Sequence, residues 1–271
     1  MKAILIDVLN LANRAAYTTG GLCRPDGTPT GVIFGLLRDV LEMERLYGTY
    51  TLAFCFDSKE SLRRYLYPAY KAQRVEVRNT ESDEKKQIRK DMHEQIKHLP
   101  VMLRDAGCRN CFRLPGYEAD DIIASIVRND QDSEFVIYSS DADCFQLLQS
   151  GRVTQWLPVA KHELTEEEFT EIHGIPPVQW ASAKAWAGCA SDNIEGIRNI
   201  GEKKAIQFLT GKFKDTTVFT NRIDMYNRNI QLTKLPFAGC PVVRVKEQVD
   251  RIDWSVLQRY VNPDYILITG V

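Results

Sequence analysis

The stretch "KAILID", residues 2–7, is a short apolar run that ends at an aspartate. Runs of this length and character are typical of buried strands, and this one is too short for a signal peptide or a membrane span. Three similar stretches follow in the first half of the chain: "YTLAFCFD" (50–57), "RNCFRLPG" (109–116) and "EFVIYSS" (134–140). We interpret all four as strands of one sheet.

Helical patterns separate these strands. "GVIFGLLRDVLEMERLYG" (31–48), for example, has the apolar spacing of a helix and ends at a glycine. Apolar strands that alternate with helices predict an α/β fold, in which helices flank a mostly parallel central sheet on both faces. We expect this core to extend over residues 1–164. A helical region follows over 165–271 and begins at a Thr-x-x-Glu capping box, Thr165 to Glu168.

Two segments stand apart from this alternation. Residues 59–98 form the longest insertion between predicted strands, and they combine "RRYLYPAYKAQR" (63–74) with the charged amphipathic helix pattern "ESDEKKQIRKDMHEQIKHL" (81–99). The C-terminal "YILITGV" (265–271) has the character of a final apolar strand.

Charge and cysteine usage limit the possible functions. The formal net charge is −1, so any binding of nucleic acid has to come from local segregation of charge. The seven cysteines are odd in number, and several lie inside apolar runs, which predicts reduced thiols in a cytoplasmic protein. Cys108 and Cys111 form a lone CxxC without the second pair that a zinc site requires.

Acidic residues follow the predicted strands, at the ends where parallel strands converge. Seven carboxylates are placed there by the sequence: Asp7, Asp57, Glu118, Asp120, Asp121, Asp141 and Asp143. Any one of them could be a turn residue or a helix N-cap. Together they repel one another by about 1 kcal/mol per close pair even in water, which favours a hard divalent counter-ion, Mg²⁺ or Mn²⁺. Two such ions can bind a phosphodiester on both sides of the bond that is cut.

The sequence resembles the flap endonuclease / 5′–3′ exonuclease family, which includes bacteriophage 5′ nucleases and the N-terminal domain of bacterial DNA polymerase I. The resemblance rests on five motifs in the family's order: "ILIDVLNL" (4–11), "FCFDS" followed by "YPAYKAQR", "GYEADDIIA" (116–124), "SSDADCFQLL" (139–148) and "SDNIEGIRNIGEKKA" (191–205). It implies a PIN-like 5′ nuclease core, a helical arch at about 59–98 and a helix-hairpin-helix at about 186–210.

The resemblance divides the carboxylates into two metal groups. It implies that the first group consists of Asp7, Asp57, Glu118, Asp120 and Asp121, and that the second consists of Asp141, Asp143 and Asp192. Cys189 stands where the family usually has another aspartate of the second group. Because cysteine is a soft ligand, it is a poor match for Mg²⁺, and this change puts the second of the two expected ions in doubt.

The basic motifs also acquire roles from the resemblance. Lys71 and Arg74 are implied to reach the scissile phosphate, and Tyr70 to stack on a base. The hairpin is implied to bind duplex DNA and a K⁺ ion. Its DNA-binding residues are Gly196, Ile200, Gly201, Lys203 and Lys204, where the glycines let backbone approach phosphates and the lysines suit a phosphate at a helix start.

We therefore expect a metal-dependent, structure-specific 5′ nuclease of replication and repair. Its substrates are DNA with a 5′ flap or 5′ end and, for primer removal, an RNA–DNA hybrid; we expect a monomer with no membrane partner. Two alternatives remain open. One is a non-catalytic relative that binds junctions, which Cys189 favours and the crowded first group disfavours. The other is a PIN-type ribonuclease, which the hairpin disfavours.

Overall fold

The computed structural model describes residues 1–48, 51–248 and 252–261, and the predicted strand at 265–271 lies outside them. The described residues form one six-stranded sheet with the order β3-β2-β1-β4-β5-β6. Its strands are β1 (Lys2–Asp7), β2 (Thr51–Phe56), β3 (Cys111–Arg113), β4 (Glu134–Tyr138), β5 (Val153–Leu157) and β6 (His162–Leu164). β1 to β5 are parallel and β6 is antiparallel, so the predicted mostly parallel α/β sheet is confirmed.

Helices surround the sheet. In the core they are α1 (Val8–Thr18), α2 (Gly31–Tyr47), α3 (Arg63–Leu66), α4 (Gln73–Thr80), α5 (Asp83–Asp105) and α6 (Ala119–Asn129). After the sheet they are α7 (Glu166–His173), α8 (Trp180–Ala187), α9 (Glu202–Leu209), α10 (Thr217–Thr220), α11 (Ile223–Thr233) and α12 (Trp254–Gln258). None of the helices in the described ranges is both long and apolar enough to cross a membrane.

The two faces of the sheet carry two separate apolar clusters. On β1, Ile4 and Ile6 pack into the cluster that contains α1, α2 and α5. Ala3 and Leu5 point to the other face, against α6. Because successive side chains of a strand alternate between faces, a strand buried on both sides has to be apolar throughout. Asp7 is the first charged residue after that run, so it lies where β1 leaves the core.

The residues after β6 build a third apolar cluster of their own. It includes Phe169 of α7, Trp180 and Trp186 of α8, and Phe219 of α10. The predicted boundary after residue 164 falls between β6 and α7, and the independence of the two parts stays a prediction. The helices α8 and α9 flank the segment between Gly188 and Gly201, which contains the predicted hairpin.

The predicted arch needs a correction in its second half. α5 is one continuous helix to Asp105, and Ile96 and Leu99 on its inner face are buried in the same cluster as α1 and α2. The amphipathic pattern of this segment therefore serves the core from about Met92 onward. Only α4 and the first turns of α5 lack buried residues, and these are the parts that stand away from the core.

Candidate functional site

Two aspartates lie at the ends of neighbouring parallel strands. Asp7 ends β1 and caps α1: its Oδ1 accepts a hydrogen bond from the Asn10 amide at 3.0 Å, and its Oδ2 accepts one from the Ser139 hydroxyl at 3.0 Å. Asp57 follows β2, and its Oδ1 accepts a hydrogen bond from the Ala119 amide at 3.1 Å. Strand order thus brings together residues that are distant in the sequence, as the convergence of parallel strand ends requires.

The start of α6 adds three more carboxylates in different environments. Asp121 is fully buried and both of its oxygens are bound, because the Arg63 guanidinium donates to them at 2.6 and 2.8 Å. The amides of Glu118 and Phe237 donate to the same carboxylate. The resemblance implies that Asp121 belongs to the first metal group, but in this structure the side chain holds the N-terminus of α6 to Arg63.

Lys71 and Arg74 form ion pairs with two of the carboxylates. The Lys71 Nζ lies 2.8 Å from Glu118 Oε2 and 3.8 Å from Asp192 Oδ1. An Arg74 Nη lies 2.9 Å from Asp192 Oδ1. Lys71 has a φ of 54° and its amide donates to the Asp192 carbonyl at 2.8 Å, so the base of α4 is joined to the loop after α8.

Tyr70 occupies a different position from the one that the resemblance implies. Its ring is 2% exposed, and its hydroxyl donates to Glu118 Oε2 at 2.9 Å. The ring has no face free for a nucleic acid base, and stacking would require the chain around it to move. In this structure Tyr70 packs beside Lys71 and Arg63 instead.

Two members of the predicted second group, Asp143 and Asp192, form ion pairs with cations of the protein. Lys184 on α8 forms an ion pair with Asp143, and Arg74 pairs with Asp192. Asp141 accepts a hydrogen bond from the Asp143 amide at 2.9 Å. Cys189 is 9% exposed, and its sulfur lies 3.0 Å from the Ser191 hydroxyl.

Burial raises the pKa of most of these carboxylates, whether or not a cation of the protein pairs with them, and the pKa of Asp143 rises to about 6 despite its ion pair with Lys184. Burial raises the pKa of Asp7 to about 7, with further contributions from Asp57 and Asp141. Burial also raises the pKa of Asp57, and it raises the pKa of Asp120 well above the usual range. Burial alone would raise the pKa of Glu118 as well, but Lys71 and Arg63 outweigh it and lower that pKa to about 2.

Three carboxylates of the first group have no ion-pair partner among the described residues. They are Asp7, Asp57 and Asp120, which we call the open trio. Carboxylates that repel one another fit a hard divalent cation, which prefers oxygen ligands. As the side chains stand, no three His, Cys, Asp or Glu residues of the described chain are already arranged around an ion position. Several of the acids are turned toward Arg63, Lys71, Arg74 and Lys184 instead.

The hairpin contains residues with distinct physical roles. A Cβ on Gly196 would lie 2.0 Å from the Ala187 carbonyl oxygen, so this glycine serves the close approach of two backbone segments. Around Gly201, at the start of α9, no atom would lie within 4 Å of a Cβ, so a ligand can approach its backbone. Ile200 is buried in the third apolar cluster, and Lys203 and Lys204 are exposed.

Sequence reasoning missed two buried cations that pair with the carboxylates. Arg63 was one of several arginines in a mixed basic segment, and nothing local distinguished it from the exposed Arg64. Lys184 carried a usable signal, because it is the single charged residue of the apolar helix α8 and is only 7% exposed. A lone cation on an apolar helix requires a buried acidic partner, here Asp143.

The chain is similar in sequence to one known family and to several characterised relatives. The family described as "5'-3' exonuclease, N-terminal resolvase-like domain" matches residues 2–174. The chain is 32% identical over 211 residues to the thermostable DNA polymerase I of Thermus thermophilus, covering 77% of this chain and 24% of the polymerase. It is 30% identical over 239 residues to the 5'-3' exonuclease of Buchnera aphidicola, and the match covers 86% of this chain and 76% of that exonuclease. The chain thus spans about a quarter of the polymerase's length.

A solved structure supports the fold. The flap endonuclease of bacteriophage T5, solved in a complex with DNA and metal ions, superposes with a TM-score of 0.74 at 21% identity. The match covers 87% of this chain and 90% of that one.

Proposed function

Because the chain belongs to the 5′–3′ exonuclease family, we propose that it is a metal-dependent nuclease that hydrolyses phosphodiester bonds near 5′ ends or 5′ flaps of DNA. The open trio is the observation that carries the proposal. Its three carboxylates have raised pKa values, and two of them, Asp57 and Asp120, interact electrostatically with Lys71, a cation that can neutralise a phosphate.

Mg²⁺ or Mn²⁺ suits the open trio, and such an ion supplies an activated water and charge stabilisation for phosphodiester hydrolysis. The chain's own residues bind and position the scissile phosphate. Lys71 and Arg74 are paired with Glu118 and Asp192, and a scissile phosphodiester, like each carboxylate, carries one negative charge shared by two oxygens that accept hydrogen bonds. Glu118, held ionised by Lys71 and Arg63, keeps Lys71 in place until the phosphate arrives.

The hairpin region is proposed to bind the duplex arm of the substrate. Its support is the exposed backbone at Gly201 and the exposed Lys203 and Lys204 at the start of α9, where amide groups and a helix N-terminus favour a phosphate. A K⁺ ion at the hairpin, an RNA–DNA hybrid as a second substrate, a monomeric state and a cytoplasmic location are further parts of the proposal.

Cleavage of a labelled 5′-flap duplex tests the proposed function. We expect cleavage near the junction with Mg²⁺ or Mn²⁺ and none in EDTA. The matched variant is Asp120→Asn, which changes one carboxylate of the open trio to an amide of the same size. It should abolish cleavage and retain binding to the flap duplex. Binding without cleavage in either ion would instead support a non-catalytic junction-binding protein, and preferential cleavage of RNA would support the PIN-type ribonuclease.

A further inference from the structure

The two carboxylate groups differ in what neutralises them. The open trio has no cation within ion-pair distance among the described residues. The second group, in contrast, faces a buried ammonium. Lys184 pairs with Asp143, and its side chain is 9% exposed while that of Asp143 is 14% exposed. A buried ion pair of this kind is costly to break, because each partner would be left as an uncompensated charge.

Lys184 also interacts electrostatically with Asp141 of the second group. Burial alone would lower the pKa of Lys184, but the charge of Asp143 and, to a smaller extent, that of Asp141 outweigh it and raise the pKa above its ordinary value. Cys189 interacts electrostatically with the same ammonium. Asp143 in turn interacts electrostatically with Asp141 and Asp192, and burial raises its pKa to about 6 although Lys184 opposes that rise.

Cys189 adds to this arrangement by placing a thiol where a carboxylate would be a better ligand for a hard cation. Its side chain packs in a small apolar cluster with Tyr70, Ile194 and Leu232. Its sulfur is in contact with the Ser191 hydroxyl, and its backbone pairs with Ile194 across the turn. A soft sulfur ligand is a poor match for a hard cation, whereas a carboxylate at this position would face Lys184.

We propose that Lys184 supplies the positive charge of the second site in this chain, so that the nuclease holds one divalent ion, at the open trio. The inference rests on the proposed function, since it assumes that the first group binds the catalytic ion. Lys184 is a positioning residue: it keeps Asp141 and Asp143 compensated, and it leaves Arg74 free to exchange Asp192 for a substrate phosphate. Lys184 belongs to α8 and not to the base of α4, so substrate binding does not draw it away.

Counting bound Mn²⁺ by electron paramagnetic resonance tests this directly on the full chain. The measurement is made on the protein alone and on the protein with a 5′-flap duplex that carries a non-hydrolysable linkage at the junction. We expect one tightly bound ion per chain, and we expect Asp120→Asn to lose it. Two ions of similar affinity in the wild-type chain would overturn the inference. No tight ion at all would overturn the metal site of the proposed function instead.

Variants of the second group give an independent readout. The double variant Lys184→Gln, Cys189→Asp removes the ammonium and adds a carboxylate, and we expect it to bind a second Mn²⁺. Lys184→Arg, Cys189→Asp keeps a cation in place and should still bind one. Circular dichroism and thermal melting check that both fold. A second ion in the arginine variant, or none gained in a folded glutamine variant, would show that Lys184 is not what excludes the ion.

The dependence of cleavage on Mg²⁺ concentration provides a third measurement that needs no variant. One catalytic ion predicts a Hill coefficient close to one for the wild-type chain. A cooperative dependence with a coefficient near two would contradict the proposal.

Discussion

Arg63 is enclosed by acidic, aromatic and backbone groups, and only 1% of its surface is exposed. Its guanidinium binds Asp121 with two hydrogen bonds, and its Nε donates to the Leu232 carbonyl at 3.0 Å. Planar bidentate pairing of this kind is specific to arginine. One side chain therefore connects α3, the start of α6 and the end of α11, and it holds in place the helix start that carries Asp120.

Removal of this guanidinium should be strongly destabilising. Arg63→Met leaves the Asp121 carboxylate buried without its partner, and we expect a loss of about 3–5 kcal/mol in the free energy of unfolding. Arg64→Met, at the exposed neighbouring residue, should change it by less than about 0.5 kcal/mol. Urea unfolding monitored by tryptophan fluorescence measures both. The double variant Arg63→Met, Asp121→Asn should recover part of the loss, and no recovery would mean that Asp121 is not the main partner.

The open trio predicts an unusual pH dependence of the metal-free protein. The pKa of Asp7 rises from 3.8 to about 7 on folding, chiefly through burial. Between those values the folded state binds more protons than the unfolded state, so stability falls as pH rises through this window. In EDTA, the melting temperature of the wild-type chain should fall between pH 5 and pH 8 more steeply than that of Asp7→Asn. Parallel curves would show that Asp7 is ionised at both pH values.

The hairpin between α8 and α9 shows how two glycines of one element serve different purposes. Gly196 allows two backbone segments to touch, and Gly201 leaves its surroundings open. A glycine motif in a sequence therefore predicts close backbone approach without saying what approaches. In this chain Gly196 packs against the backbone of Ala187. The backbone at Gly201 is open, so a phosphate can approach it.

Alanine substitutions should separate these two roles. Gly196→Ala forces a Cβ against the Ala187 carbonyl, and we expect a loss of about 1–3 kcal/mol in stability together with weaker duplex binding. Gly201→Ala meets no atom within 4 Å and its φ is −94°, so folding should be nearly unaffected. Chemical denaturation and fluorescence anisotropy with a DNA duplex measure the two effects. Equal destabilisation by both substitutions would contradict this assignment.

The whole molecule shows which features a sequence can predict. β1, β2 and β4 are nearly continuous apolar runs, so the parallel sheet and the convergence of Asp7 and Asp57 followed from the sequence. β5 and β6 were not predicted, because "VTQWL" and "HEL" mix polar with apolar residues. The ion pairs that divide the carboxylates into paired and unpaired groups could not be predicted from the sequence either. Arg63 is 58 residues from Asp121, and Lys184 is 41 residues from Asp143, and no local pattern encodes such contacts.

The balance of charge in the whole chain also determines how it should bind DNA. The 35 basic and 36 acidic residues nearly cancel, so affinity for a duplex has to come from a few exposed cations such as Lys203 and Lys204. Each phosphate contact contributes about −0.9 to the slope of log affinity against log salt concentration. The double variant Lys203→Ala, Lys204→Ala should therefore reduce that slope by about two units, measured by anisotropy with a plain duplex across a salt series.

The control is the double variant Lys97→Ala, Lys161→Ala, which removes the same charge from exposed side chains on α5 and the β5–β6 turn. An equal reduction in the control would mean that net charge, and not the hairpin, governs binding.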